Sequence, residues 1–267
     1  MDVRKLLGLS KRQLPAVPSA ADEAYSWSGS VSKDQSTTIE YFIPTFGPDV
    51  APYIQGGRKQ GIHHVGRYQW ATLALQSRPT TMLIDVACGA GYGSQMIAKA
   101  FPTTRVLGVD YDERAIEYAR ANYHGDNLHY VVGDMTTWQS EGEPMPRCDV
   151  IVSFDTIEHL LHREIALMRI ADNLADDGWL LFSTPCGHNE SRLNPGWEHH
   201  KLEYSYSDLF AILSRFFGRV VQPQEDDFPA AEFWRDVINA GTVRYLNRMN
   251  PVVCKHPIRT PHYRPLI

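Results

Sequence analysis

The sequence predicts an α/β fold, a mostly parallel sheet of seven strands with helices on both faces. Three observations carry that expectation. An apolar, strand-type run, Met82-Leu83-Ile84-Asp85-Val86, passes straight into the glycine-rich turn Ala87-Cys88-Gly89-Ala90-Gly91-Tyr92-Gly93-Ser94. A helical pattern (Met96, Ile97, Ala100) follows at once. Beyond residue 80, strand-like and helix-like runs alternate, which is the mark of βαβ units and hence of parallel strands.

Taken in order, residues 1–35 are polar and broken by Pro15, Pro18 and several serines, so a flexible lead is expected. Residues 36–79 read as a lid or helical extension. Aromatic residues mix there with Pro44, Pro48, Pro52 and Gly56-Gly57, and a loose helix then runs from Ile62 to Leu75 and ends before Pro79. Residues 80–267 form the ligand-binding domain. Strands are expected over Thr81–Ala87, Arg105–Asp110, Leu128–Val132, Cys148–Ser153 and Trp179–Ser183. Helices separate them, notably Glu113–Tyr123, capped by Asp112, and Arg163–Leu174. Ser205-Tyr206-Ser207-Asp208 opens another helix, with Leu209, Ile212, Leu213 and Phe216 on its apolar face. A strand around Arg219–Gln222 and one near Val252–His256 complete the seven. The helix between them, around Ala231–Asn247, reads as an insertion within 229–248.

Composition narrows the function. With 43% hydrophobic and 21% charged residues, the 267-residue chain reads as a soluble globular protein. No apolar stretch reaches the roughly 18 residues of a membrane span. The start is basic and leucine-containing (Arg4, Lys5, Leu6, Leu7, Leu9), but Lys11 and Arg12 interrupt it before a signal-type apolar region forms. A cytoplasmic protein without a membrane partner is expected. The net charge of -5 and the absence of a basic block argue against nucleic acid and for a small-molecule partner. Four cysteines (Cys88, Cys148, Cys186, Cys254) lack C-x-x-C spacing, so neither a zinc knuckle nor a disulfide framework is indicated. Self-association into a homo-oligomer is left open.

Strand, glycine turn and helix together present backbone N–H groups and a helix N-terminus to a nucleotide-like ligand. A dinucleotide fingerprint would read G-x-G-x-x-G. Here the run is Gly89-x-Gly91-x-Gly93, with Ser94 where the third glycine would fall. Asp85, four residues ahead of the loop, would repel a pyrophosphate and suits a cationic, amino-acid-like group. At the second strand's end Gly108-Val109-Asp110 offers a carboxylate able to accept both ribose hydroxyls. At the third, Gly133-Asp134-Met135 offers an acceptor for an adenine amino group and an apolar wall; a plain turn aspartate is the alternative. The fourth and fifth strands deliver Phe154-Asp155-Thr156-Ile157-Glu158-His159-Leu160 and Ser183-Thr184-Pro185 to the same edge.

The pattern D-x-A-C-G-x-G-x-G resembles motif I of the class I S-adenosylmethionine-dependent methyltransferases, and the segments over roughly 80–222 follow that family's order. The resemblance implies a Rossmann-like fold and S-adenosyl-L-methionine as cofactor, with S-adenosyl-L-homocysteine as product. It assigns cofactor contacts to Asp85, Ala87, Cys88, Gly89, Gly91 and Tyr92, to Asp110 and Tyr111, to Asp134 and Met135, and to Phe154 and Tyr68. The string Ser153–Leu160 is similar to the "-EHL" motif of a small-molecule group found in sugar, quinone and natural-product pathways. Asn194-Pro195-Gly196-Trp197-Glu198-His199-His200-Lys201-Leu202-Glu203-Tyr204-Ser205 resembles the "NP-H-xE-Y-S" stretch of that group, and His63–Tyr68 resembles its helix that closes over the cofactor. O-methylation of a sugar or secondary metabolite is implied. N- or C-methylation, a macromolecular acceptor, and an inactive cofactor-binding partner or regulatory protein are the alternatives. An NAD-dependent oxidoreductase is disfavoured by Ser94 and Asp85.

Methyl transfer to a hydroxyl calls for orientation and a general base. Histidine suits that role at neutral pH, and the candidates are His159, His199 and His200, with His188 and His64 behind them. Asp155-x-x-Glu158-His159 also resembles the E-x-x-E-H metal set of the small-RNA 3′-end and ubiquinone-biosynthesis O-methyltransferases. A divalent metal on Asp155, Glu158 and His159, with His199 or His200 as fourth ligand, is the less favoured reading, because aspartate shortens the reach of the first ligand. Pro185-Cys186 resembles the dipeptide of cytosine-5 DNA methyltransferases but follows the wrong strand, and no [DN]-P-P-[FYW] follows the fourth. Trp27, Tyr41, Phe42, Phe46 and Tyr53 are expected to pack the lid.

Overall fold

A computed structural model describes residues 62–195, 200–240 and 249–259. The expected lead, most of the lid and His199 lie outside the described residues. In chain order the elements are α1 (Ile62–Ala74), β1 (Met82–Val86), α2 (Tyr92–Ala100), β2 (Arg105–Asp110), α3 (Glu113–Asn122) and β3 (Leu128–Asp134). A small hairpin, β4 (Gln139–Ser140) and β5 (Glu143–Pro144), precedes β6 (Cys148–Phe154). Then come a 3-10 turn (Ile157–His159), α4 (Arg163–Asn173), β7 (Leu174–Ser183), β8 (Cys186–His188), β9 (Arg192–Leu193) and β10 (Leu202–Ser205). The chain continues through α5 (Tyr206–Phe216), β11 (Phe217–Val221), α6 (Ala231–Ala240) and β12 (Val252–Pro257).

The main sheet runs β11-β12-β7-β6-β1-β2-β3-β4-β5. Its seven long strands are those the sequence predicts. Among the described residues the count rises to nine because the hairpin β4–β5, too short to leave a periodic signal, extends the edge beyond β3. β1, β2, β3, β6 and β7 are parallel. β12 is antiparallel to both its neighbours, β7 and β11. A second, three-stranded sheet, β8-β10-β9, was not foreseen; its strands are two to four residues long.

Strand alternation divides the core. Leu83, Val150, Val152 and Leu181 face one side, packed with Val65, Trp70, Ile97, Ile116 and Trp234 from α1, α2, α3 and α6. Ile84, Val86, Ile151, Leu180 and Phe182 face the other, packed with Leu167 and Ile170 of α4 and Leu209 and Leu213 of α5. α6 lies in the β11–β12 connection and packs on α1, with the Trp70 and Trp234 rings 6.3 Å apart; just before α6, Phe228 stacks on the Trp70 ring at 5.2 Å and the Pro229 carbonyl accepts from its Nε1 at 2.8 Å. Helix starts follow their capping chemistry. Asp112 accepts from the Arg114 N–H at 3.0 Å, and Ser205 Oγ from the Asp208 N–H at 3.1 Å. No helix among the described residues is long and apolar enough to cross a membrane.

Candidate active site

Parallel register brings the strand ends together. Asp85 stands level with Gly108 on β2 and Val152 on β6, so Asp110 and Phe154 each lie two residues further along that edge. The turn leaving β1 is left-handed at Ala87, Gly89 and Gly91, with φ of 57°, 55° and 87°. Glycine adopts this conformation without the clash a Cβ brings; Ala87 carries that strain. Packing fixes two of the motif's glycines independently of any ligand. A Cβ on Gly91 would stand 2.5 Å from that of Ala119, and one on Gly93 would stand 2.2 Å from ring carbons of Tyr68.

Asp85 is wholly buried. Its Oδ2 accepts from Ser94 Oγ at 2.6 Å and its Oδ1 from the Tyr68 hydroxyl at 3.2 Å. Burial pushes its pKa up to about 7, against the pull of those two hydrogen bonds, and nearby Asp110 adds to the rise. Asp110 accepts from the Gly89 N–H at 2.8 Å and the Asp112 N–H at 2.9 Å, and burial pushes its pKa up to about 6. All four of these donors are neutral. Two carboxylates are thus sunk at adjacent strand ends with no cation among the described residues paired to either, and burying an unmatched carboxylate is costly.

The other predicted cofactor residues fall around this pair. Cys88 is buried, its N–H donating to the Val109 carbonyl at 3.0 Å, and burial pushes its thiol pKa well up. Tyr92 and Phe154 lie edge-on to Tyr68, at 5.4 and 5.1 Å between ring centroids. Met135 is buried. Asp134 Oδ1 accepts from the N–H and Oγ of Thr136, both at 2.7 Å, the bonding of a turn aspartate. Tyr111, 72% exposed, stands at the surface.

A second cluster sits after β6 and β7. Asp155 is left-handed, with φ 49°; its N–H donates to the Ser183 carbonyl at 2.9 Å, and Ser183 Oγ donates to its Oδ1 at 3.0 Å. Arg67 of α1, fully buried, donates from Nη1 to Asp155 Oδ2, and His64 Nδ1 is 3.7 Å from that oxygen. Burial works to raise the Asp155 pKa, but Arg67 and His64 outweigh it and hold the carboxyl below its ordinary value. Burial takes His64 down to about 4, so it is neutral at physiological pH. Glu158 is wholly buried and accepts from Thr184 Oγ1 at 2.7 Å; burial first, then Asp155, push its pKa well up. Glu158 Oε1 and Arg67 Nε and Nη2 are buried without a hydrogen-bond partner among the described residues.

The histidines complete this cluster. His159 Nε2 lies 3.8 Å from Glu158 Oε1, and the His159 and His200 rings meet edge-on at 4.9 Å. His200 Nδ1 is 2.7 Å from Glu203 Oε1. Of the less favoured metal set, Glu158 and His159 come together and Asp155 does not join them. Asp155 turns to α1, grouping with His63 and His64 beside Arg67, while His200 joins Glu158 and His159, all three offering ligand atoms within 4.8 Å of one another. The reason is electrostatic: the buried guanidinium claims the aspartate. His188 lies on β8.

Sequence reasoning passed over several residues that build the site. Ser94 entered only as a missing glycine, yet it is the closest donor to Asp85. Arg67, Thr184 and Glu203 entered only as members of longer segments, with no role of their own: Arg67 and Thr184 act on groups in other segments, and Glu203 on His200 three residues before it. Tyr130, whose hydroxyl donates to the Gly91 carbonyl at 2.7 Å, was likewise silent.

A family described as "Methyltransferase domain" matches residues 64–219, more than half of the chain. The chain belongs to this methyltransferase-domain family. Among its relatives is a malonyl-[acyl-carrier protein] O-methyltransferase of Bacillus cereus, 26% identical over 137 residues, which are 51% of this chain and 49% of that protein. Another is a probable S-adenosylmethionine-dependent methyltransferase of Mycolicibacterium smegmatis, 32% identical over 138 residues, 49% of each. The chain thus spans about half the length of the curated relatives it matches. In fold it is similar to the plantazolicin methyltransferase BamL, solved with a triazolic desmethylPZN analog and SAH (TM-score 0.54, 12% identity, 78% of this chain and 90% of that one).

Proposed function

We propose that this methyltransferase domain binds S-adenosyl-L-methionine and methylates a hydroxyl of a small molecule, a sugar or secondary metabolite, as the "-EHL" resemblance suggests. The observation that carries this reading is the pair Asp85 and Asp110, buried with neutral donors alone. A ligand bearing ammonium and sulfonium charge and a ribose diol fits that pair, and a pyrophosphate does not. The cofactor supplies an activated methyl group on a sulfonium, and the protein supplies the rest.

Asp85 faces the cationic end, with Ala87, Cys88, Gly89 and Gly91 offering backbone and Tyr92, Phe154 and Tyr68 the walls. Asp110 keeps acceptor capacity for ribose hydroxyls beyond its two backbone bonds, with Tyr111 beside it. Asp134 and Met135 lie at the next strand end, for the adenine. Arg67, next to Tyr68 in the chain, has two buried nitrogens, Nε and Nη2, without a partner among the described residues, a donor set suited to the cofactor's carboxylate. His159 and His200, on the neighbouring edge, are the candidates for taking a proton from the acceptor.

Titration calorimetry tests the reading. Micromolar binding of S-adenosyl-L-methionine and S-adenosyl-L-homocysteine, with none of NAD, is expected; absence of binding to either would overturn it. Asp110→Ala is expected to weaken binding by ~1–3 kcal/mol through lost hydrogen bonds to a charged acceptor.

A further inference from the structure

Two histidines meet at the site's edge, and the structure treats them differently. His159 turns its Nε2 toward the buried carboxyl of Glu158. His200 turns its Nδ1 toward Glu203, at 2.7 Å, with both side chains largely shielded (15% and 17% exposed). The backbone around the His200–Glu203 pair is tied down on several sides. The Lys201 N–H donates to the Glu158 carbonyl at 2.7 Å, and the Asn194 N–H to the Lys201 carbonyl at 3.0 Å. Glu203 is in register with Arg192 on β9, and Tyr204 with Cys186 on β8. A solvated i,i+3 pair on a loose loop contributes little; this one is clamped at both ends and joined by its backbone to the turn that carries Glu158 and His159.

A carboxylate accepts and cannot donate, so the Nδ1 it faces carries the proton. In a neutral imidazole the lone pair then resides on Nε2. We propose that Glu203 is a positioning residue. It holds His200 as the Nδ1–H tautomer, so that Nε2 of that ring accepts the proton of the substrate hydroxyl. The inference rests on the methyl-transfer reading above and selects His200 over His159 as the base. In the step, the acceptor O–H bond breaks and its proton goes to His200 Nε2. The new O–CH3 bond forms as the C–S bond breaks, its electron pair leaving with sulfur. The imidazolium then formed lies against the Glu203 carboxylate, which also stabilises it.

The tautomer can be read without knowing the acceptor. Long-range 1H–15N correlation spectra of the full, uniformly labelled chain separate a protonated from a bare ring nitrogen, and His200→Gln assigns the signals by their loss. The wild type is expected to show Nδ1 protonated and Nε2 bare at His200. In Glu203→Ala the ring is expected to revert to the Nε2–H form. In Glu203→Gln, whose amide oxygen can still accept, the Nδ1–H form is expected to persist, which guards against a misfolded alanine variant. Affinity for S-adenosyl-L-homocysteine should stay within about twofold in both variants. A wild-type His200 in the Nε2–H form, or one unmoved by Glu203→Ala, would overturn the assignment. Failure of the wild type to bind the cofactor, with the tautomer as expected, would sink the methyl-transfer reading instead.

Discussion

Around Asp85 and Asp110 both oxygens of each carboxylate meet a donor, whereas around Asp155 and Glu158 buried atoms of Arg67 and Glu158 meet none among the described residues. The first region is a finished cradle whose charge is unmatched. The second matches one charge, Asp155 with Arg67, and leaves hydrogen-bonding capacity over. They also differ in assembly. Ser94 of α2 and Gly89 of the turn reach Asp85 and Asp110 from the chain that follows β1, with Tyr68 of α1 as the contact from further away, while the second region draws on α1, the ends of β6 and β7, and the β9–β10 hairpin. A cradle made locally is ready before a ligand arrives; one made from four distant segments depends on each staying in place.

The largest expected effect follows from that dependence. Arg67→Met removes the charge that compensates Asp155 and leaves a carboxylate buried alone, a loss of about 3–5 kcal/mol. Urea denaturation measures it, and the double variant Arg67→Met with Asp155→Asn is expected to regain part of the loss. A drop below about 1 kcal/mol for the single variant would mean that the pair is solvated and the contrast between the two regions is false.

Next comes Gly93→Ala. Its methyl would meet the Tyr68 ring at 2.2 Å, so α1 must yield and the Tyr68 hydroxyl must leave Asp85. Overpacking of this kind costs ~1–3 kcal/mol, and cofactor affinity is expected to fall with it. Stability near wild type together with intact affinity would show that α1 does not close the first region.

The unmatched charge of the first region gives a pH signature. Asp85 and Asp110 rise to about 7 and about 6 in the folded protein, from an unfolded value near 3.8, and Glu158 also rises. Between about pH 4 and pH 7 these three carboxyls hold more protons in the folded state than in the unfolded one, so their contribution to stability falls as pH rises; buried His63 and His64, both lowered from 6.5, pull the other way. Asp155 works the other way: its depressed value contributes stability above the unfolded pKa that is lost on acidification. The ligand-free protein is expected to lose thermal stability from pH 5 to pH 7, with Asp85→Asn flattening the slope. A cationic cofactor should release protons on binding at pH 6, seen as a dependence of the binding enthalpy on buffer ionisation. A slope left unchanged by Asp85→Asn would show that carboxylate to be matched after all.

Legibility in the sequence followed the same division. The glycine turn, Asp85, Asp110 and the seven long strands could be read because their chemistry repeats at short spacing: an apolar run, a turn, then a helical period. α2 begins at Tyr92, directly on the turn, and α3 at its expected cap. The β4–β5 hairpin and the β8-β10-β9 sheet were not legible, since strands of two to four residues carry no period. Nor was the pairing of Arg67 with Asp155, 88 residues apart, which takes Asp155 away from Glu158 and His159, its companions in the less favoured metal reading. Sequence spacing placed Asp155 three residues from Glu158 but could not show that a buried guanidinium on another helix had claimed it.

The smallest effect tests how far the first region is over-determined. Tyr130 fills the space that Gly91 and Gly108 leave open, and its hydroxyl donates to the Gly91 carbonyl at 2.7 Å. That carbonyl also accepts the Gln95 N–H at 3.2 Å, the first bond of α2. Tyr130→Phe keeps the ring, and with it the steric demand for glycine, and removes one of two donors. The carbonyl is not stranded, so the loss is that of an ordinary hydrogen bond, ~0.5–1.5 kcal/mol, and cofactor affinity is expected to hold within about twofold. If affinity instead fell tenfold while stability barely moved, the hydroxyl would be setting the turn's conformation. The first region would then owe its readiness to one long-range contact, as the second does, rather than to the local chain.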